Sequence, residues 1–146
     1  SANNLIKEFI SKNFKTPIII GPDEESYQWA KEIAIGIDAH AAILKKTRFS
    51  PTKVKVEIKS PIEIKNKDVI IIDDIISTGK TILETVKYLK AHKPKNIIVI
   101  GIHGVFADKT TYKTIVKNTK GIITTNTIPN KHAKIDVSNL IADSLK

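Results

Sequence analysis

The segment with the clearest chemical potential spans residues 73–81 and has the sequence Asp-Asp-Ile-Ile-Ser-Thr-Gly-Lys-Thr. The adjacent carboxylates of Asp73 and Asp74 repel each other unless a polyol, a cation or solvent accepts them. The following residues offer hydroxyl groups and a run of backbone N–H groups at a predicted helix start, where the helix dipole favours an anion. An acid pair for sugar hydroxyls beside a cradle for one phosphate group predicts a ribose phosphate ligand.

Two other interpretations of this segment are possible. Gly79-Lys80-Thr81 matches the end of a nucleotide-binding P-loop, but the P-loop needs Gly five positions before Gly79, where this chain has Asp74. The P-loop match therefore fails. The alternative without a ligand is an acidic strand end followed by an ordinary helix start.

The elements that must position these residues alternate between strand and helix. Short apolar runs typical of strands buried on both faces lie at 18–20, 41–44, 68–74, 96–101 and 121–125. Helical spacing is found at 3–13, 24–37, 81–92, 112–118 and 137–145. This order predicts an α/β fold with a mostly parallel, doubly wound sheet between two layers of helices. Residues 49–58 contain a Ser-Pro turn and an alternating pattern, which predict a short antiparallel arm.

Ligands of open parallel sheets bind beyond the carboxyl ends of the strands. Four segments are expected to meet there: 21–26, 45–48, 73–81 and 103–106. Asp23 is predicted to cap the second helix. Lys46 and Arg48 follow the second strand in a predicted loop, and Arg48 is the single arginine of the chain.

Composition limits the class of protein. The 146 residues are enough for one domain, and the absence of cysteine excludes disulfides, thiolate zinc sites and a cysteine nucleophile. No apolar run approaches a membrane span of ~20 residues, so a soluble, cytoplasmic protein is expected. The net charge is +9, but the lysines are scattered and only 5% of residues are aromatic. We therefore expect solvated lysine faces and a field that favours phosphate-rich small ligands, with no nucleic-acid partner.

The segment VIIIDDIISTGKT resembles the phosphoribosyl-binding motif of the type I phosphoribosyltransferases. Within that superfamily, the chain most resembles the C-terminal half of the ribose-phosphate pyrophosphokinases. The further similarities are Pro22-Asp23, Lys46-Thr47-Arg48, His103-Gly104-Val105-Phe106, residues 125–129 and Asp136-Val137-Ser138.

This resemblance implies transfer of the diphosphoryl group of ATP to the 1-hydroxyl of ribose 5-phosphate, giving phosphoribosyl diphosphate (PRPP) and AMP for nucleotide biosynthesis. Asp73 and Asp74 would hold the ribose hydroxyls, and Asp23 would help to hold Mg²⁺. Lys46 and Arg48 would be catalytic, with Arg48 also contacting the substrate. The residues implied for the 5-phosphate are Ser77, Thr78, Gly79, Lys80 and Thr81. Family members usually form dimers or larger rings.

The chain departs from the family pattern at two places. Glu24-Glu25 stands where the family has small, glycine-rich residues, and Lys80 stands where it usually has Gly. Some purine phosphoribosyltransferases carry Thr-Gly-Lys-Thr, so a phosphoribosyltransferase acting on a nucleobase is one alternative. A non-catalytic subunit that senses PRPP or ribose phosphate is another. The chain has no initiator Met, and the family's ATP-binding half is expected upstream, so we expect the isolated chain to be incomplete as an enzyme.

Overall fold

The computed structural model describes residues 1–51, 54–59 and 62–146, without the side chains of residues 48 and 54–56. The helices are α1 (Asn3–Asn13), α2 (Glu24–Gly36), α3 (Lys80–Ala91), α4 (Lys109–Asn118) and α5 (Ser138–Ser144). The strands are β1 (Ile18–Gly21), β2 (His40–Arg48), β3 (Val54–Ile58), β4 (Asp68–Ile76), β5 (Asn96–Gly104), β6 (Gly121–Thr125) and β7 (Ala133–Ile135). None of the helices in this part of the chain has the length and hydrophobicity that a membrane crossing requires.

The strands form one sheet in the order β3-β2-β1-β4-β5-β6-β7. All neighbouring pairs are parallel except β2 and β3, which are antiparallel. The predicted mostly parallel sheet with a short antiparallel arm is therefore confirmed. Strand β7 was not predicted, because three residues are too few to show a two-residue alternation.

Helices cover both faces of the sheet. On one face, Ile6 and Ile10 of α1 and Ile33 of α2 pack with Ile70 and Ile72 of β4. On the other face, α3 and α4 contribute Ile82, Val86, Leu89 and Ile115, which pack with Val69, Ile71 and Val99. Because both faces of β4 are buried, its apolar run is continuous, as expected for a central parallel strand.

Three strands extend further than the sequence predicted, and each extension lies at the carboxyl edge. β4 continues through Ile76 and β5 through Gly104, because Ile75 pairs with His103 and Ile76 with Gly104. Residues 45–48, predicted as a loop, are the end of β2 and pair with β3 over the register Lys45–Glu57 to Arg48–Val54. Backbone hydrogen bonds to a neighbouring strand extend each of these strands, and the local sequence does not indicate that neighbour.

The contact between β1 and α2 fixes where α2 begins. A Cβ atom added at Gly21 would lie 2.5 Å from the Cα atom and 2.6 Å from the backbone nitrogen of Tyr27. Both are backbone atoms, so the end of β1 and the first turn of α2 approach each other as closely as glycine allows. This approach places Asp23 between the two elements.

We expect Gly21→Ala to lower the free energy of unfolding by about 1–3 kcal/mol, because the methyl group must push α2 away from β1. The matched control is Gly121→Ala, since no described atom lies within 4 Å of a Cβ placed there. The control should change the stability by less than about 1 kcal/mol. Urea unfolding of both variants measures the difference. Equal stability of the two variants would contradict the close approach at Gly21.

Candidate functional site

The carboxyl edge of the sheet brings together the four segments that the sequence placed there. Ser26 of α2 donates from its Oγ to Oδ1 of Asp73 over 3.0 Å, which joins the segment after β1 to the tip of β4. The carbonyl of Ile76 accepts hydrogen bonds from the backbone N–H groups of Val105 and Phe106, each at 3.0 Å. These contacts join three of the predicted segments directly, and Lys45 and Lys46 line one cavity with Asp23 and Thr81, so the four segments do converge.

The acid pair lies where the side-chain alternation of β4 changes. Val69 and Ile71 face α3 and α4, and Ile76 packs in the same cluster although it is five residues beyond Ile71. Residues on one face of a regular strand are an even number of positions apart. The alternation of side chains must therefore shift between Ile72 and Ile76, that is, at Asp73, Asp74 and Ile75. This shift leaves both carboxylates half-buried at the end of the strand.

The two carboxylates differ in their surroundings. Oδ1 of Asp73 accepts from Ser26 and also from the backbone N–H of Asp74, at 3.0 Å. Oδ1 of Asp74 accepts from the backbone N–H of Ile75 at 2.8 Å. Burial raises the pKa of the Asp73 carboxyl to about 7, and the negative charges of Asp23 and Asp74 act in the same direction, while the Ser26 hydroxyl opposes them. A ligand that donates hydrogen bonds or carries positive charge would stabilise the ionised form.

The predicted phosphate cradle follows directly. Gly79 caps α3 with a positive φ of 78°, and the first backbone hydrogen bond of the helix runs from Leu83 to the carbonyl of Gly79. The backbone N–H groups of Thr81 and Ile82 precede that bond and therefore have no acceptor inside the helix. The side chains of Ser77, Thr78 and Lys80 are exposed, and Thr81 is half-buried. These groups can surround a small anion from one side.

A cavity of about 450 Å³ opens beside this cradle. Three of the predicted site residues line it together: Asp23, Lys46 and Thr81. Lys45, Lys59 and Glu24 also line the cavity, so it contains three lysines and two acids. Lys46 Nζ lies 2.6 Å from Oε2 of Glu84 on α3, and Lys59 Nζ lies 3.7 Å from Oε1 of Glu24.

Three residues of the site, Ser26, Lys59 and Glu84, have no signal in the sequence that would identify them. Ser26 is separated from Asp73 by 47 residues, and Glu84 lies in a helix pattern that any surface acid would satisfy. Nothing in the chain order signals these contacts. They arise only when α2, the β2–β3 arm and α3 meet at the edge of the sheet.

Arg48 ends β2, where its backbone pairs with Val54. Its side chain lies outside the described residues, so its catalytic and substrate-binding roles stay predictions. Lys46 is two residues earlier on the same strand and faces the cavity.

Asp23 caps α2 by accepting a hydrogen bond from the backbone N–H of Ser26 over 2.8 Å, as predicted. Ser26 thus contacts both Asp23 and Asp73, which brings two carboxylates to one place. In the described part of the chain, no group of three or more His, Cys, Asp or Glu residues could hold a metal ion. Mg²⁺ bound with phosphate substrates typically uses only one or two protein carboxylates, so this donor set fits a magnesium ion shared with a substrate.

The raised pKa of Asp73 predicts a pH-dependent stability. Between about pH 4 and pH 7 the folded protein keeps a proton on Asp73 that the unfolded chain has lost, so this group lowers the stability as the pH rises. Asp73→Asn removes the titration. We therefore expect the melting temperature of the variant minus that of the original protein to be larger at pH 8 than at pH 5. Thermal unfolding at both pH values measures the gap, and a gap that stays constant would contradict the burial of Asp73.

Comparison with curated proteins gives similarity to ribose-phosphate pyrophosphokinases. The protein of that name from Sulfurisphaera tokodaii is 35% identical over 94% of this chain and 48% of its own length. The protein of the same name from Methanobrevibacter smithii is 31% identical over the whole of this chain and 53% of its own length. The resemblance drawn from the motifs is confirmed, and the chain spans about half the length of the curated relatives it matches.

Solved structures share the fold. The phosphoribosylpyrophosphate synthetase of Mycobacterium smegmatis superimposes with a TM-score of 0.80 at 24% identity, over 99% of this chain and 49% of the other. The adenine phosphoribosyl transferase of Trypanosoma brucei superimposes with a TM-score of 0.65 at 18% identity, over 99% and 77% of the two chains. The family model described as the phosphoribosyl transferase domain matches residues 1–140. The acid pair, the cradle and this match lead to one conclusion, that the chain belongs to the phosphoribosyl transferase domain family.

Proposed function

We propose that this chain is the ribose-5-phosphate-binding, C-terminal domain of a ribose-phosphate diphosphokinase. The complete enzyme transfers the diphosphoryl group of ATP to the 1-hydroxyl of ribose 5-phosphate, giving PRPP and AMP. The observation that carries the proposal is the continuous arrangement of an acid pair, a phosphate cradle and a lysine-lined cavity around the end of β4. The relatives named ribose-phosphate pyrophosphokinase support it.

The sugar and its phosphate account for the first two parts of that arrangement. Sugar hydroxyls donate hydrogen bonds to Asp73 and Asp74, and they offset the burial of the Asp73 carboxylate. The 5-phosphate lies against residues 77–81, where unpaired N–H groups and the positive end of α3 neutralise it. Both ends of the substrate are then held, which orients the 1-hydroxyl toward the cavity.

The cavity beside the sugar site receives the phosphates of ATP. Lys46 and Arg48 stabilise the negative charge that spreads over the transferring diphosphoryl group. Asp23 helps to hold a Mg²⁺ ion, which supplies charge neutralisation of the phosphates when bound. Protein groups that bind adenine belong to a part of the enzyme beyond this domain.

The active enzyme is a homo-oligomer.

The alternatives make different products. A nucleobase phosphoribosyltransferase, suggested by Lys80, would consume PRPP and release diphosphate in the presence of a purine. A sensor subunit would bind PRPP or ribose 5-phosphate and turn over neither. Formation of AMP from ATP, strictly dependent on ribose 5-phosphate, supports the proposed enzyme, and PRPP consumption with a purine base would overturn it.

Binding of ribose 5-phosphate tests the substrate site. We expect Asp73→Ala and Thr81→Ala each to weaken binding by about tenfold or more, because each removes a hydrogen bond to the ligand next to a charged group. Isothermal titration calorimetry measures the affinity. The matched controls are Asp143→Ala in α5, which breaks an exposed ion pair with Lys146, and Thr114→Ala on α4. Unchanged affinity in both site variants would overturn the site assignment.

Steady-state kinetics of the complete enzyme test the role of Lys46. We expect Lys46→Ala to lower kcat by about 10²–10³ and to change KM for ribose 5-phosphate little, because Lys46 acts on the phosphates as charge develops. Arg48→Ala should behave alike, and Arg48→Lys should recover only part of the loss, since a point charge does not replace a planar fork. Lys12→Ala, which breaks an exposed pair with Glu8 in α1, is the control. A rise in KM with kcat preserved would make Lys46 a binding residue instead.

A further inference from the structure

The lysine assigned to catalysis is held by an acid that the proposed mechanism does not use. Oε2 of Glu84 lies 2.6 Å from Nζ of Lys46, and both side chains are about one-third exposed, at 39% and 35% respectively. Oε2 itself is shielded from solvent, and it has no hydrogen bond of good geometry within the described residues. The contact is therefore a close charge pair in which the carboxylate oxygen is shielded from solvent.

Glu84 belongs to a face of α3 that connects the phosphate cradle to the β2–β3 arm. Thr81, Glu84 and Tyr88 are spaced by three and four residues, so they lie along one side of the helix. Thr81 lines the cavity together with Lys46, and the hydroxyl of Tyr88 accepts a hydrogen bond from the backbone N–H of Ile58 in β3 over 3.0 Å. The arm thus contacts α3 at two points: β3 donates a backbone N–H to the Tyr88 hydroxyl, and β2 contributes Lys46 to the pair with Glu84.

A carboxylate and a phosphate oxygen compete for the same ammonium group. Lys46 lines the cavity, and its charge is neutralised by Glu84 when no anion is present. Lys59, which also lines the cavity, has a looser contact of 3.7 Å with an exposed acid, Glu24. Exposed pairs of that kind contribute little, so Lys46–Glu84 is the stronger of these two pairs.

We propose that Glu84 positions Lys46 and serves as its internal counter-ion, which a diphosphate group must displace before Lys46 can act on it. This inference rests on the proposed function, because it assigns the cavity to the diphosphoryl group. Glu84 holds the ammonium group at the cavity wall and keeps the empty cavity from attracting other anions. Once a diphosphate group arrives, Lys46 exchanges one anionic partner for another without a large movement of the arm.

Calorimetric titration of the complete protein with inorganic diphosphate tests the proposal. Glu84→Gln keeps the size of the side chain and removes its charge, so we expect binding to become about three- to tenfold tighter. Glu84→Asp keeps the charge but withdraws it by one methylene group, and it should give a smaller gain in affinity. Glu8→Gln breaks a remote ion pair of 2.7 Å with Lys12 and should leave the affinity unchanged.

A double-mutant cycle identifies the route of the effect. In a Lys46→Gln background, Glu84→Gln should no longer alter the affinity for diphosphate, because the ammonium group that Glu84 occupies is gone. Equal or weaker binding by Glu84→Gln, the same gain in Glu8→Gln, or a gain that persists without Lys46 would each overturn the proposal.

The result is separable from the test of the proposed function. Ribose 5-phosphate binding depends on Asp73 and the cradle, whereas the diphosphate titration depends on Lys46 and Glu84. If Asp73→Ala and Thr81→Ala leave ribose 5-phosphate affinity unchanged while the cycle shows coupling, the substrate assignment is overturned and the role of Glu84 stands. If both variants weaken ribose 5-phosphate binding but the cycle shows no coupling, only the role of Glu84 is overturned.

Discussion

The site depends on the burial of β4 in the middle of a parallel sheet. β4 pairs with β1 on one side and β5 on the other, and its residues from Val69 to Ile72 are buried. Because β4 is paired along both edges and packed on both faces, the position of its carboxyl end is fixed, and so is the position of Asp73. Ser26 reaches that place only because Gly21 lets α2 begin directly against β1. The acid pair is therefore positioned by the core and not by its own loop.

Charge balance is the second constraint on the site. The cavity brings three lysines together, and their positive charges must be balanced within the protein itself. Glu84 forms a close pair with Lys46, Glu24 makes a looser contact with Lys59, and Ser26 donates to the half-buried Asp73. Glu24 thus has a cationic partner in this protein.

The chain spans about half of the ribose-phosphate pyrophosphokinases it matches, and the same share of the M. smegmatis structure. Ile75 and Val105 are exposed at the carboxyl edge of the sheet, beside the site. Among the described residues that line the cavity, none is aromatic.

The sequence alone determined the alternation of strands and helices, the parallel sheet and the identity of the acid pair and cradle, because buried strands, helix periodicity and local turn chemistry are properties of neighbouring residues. It also placed four segments at one edge, since parallel strands all end there. It did not predict that residues 45–48 are strand, that Ser26 contacts Asp73, or that Glu84 holds Lys46. Those features join residues far apart in the chain, and pairing with β3 or packing of α3 decides them only when the whole fold is formed.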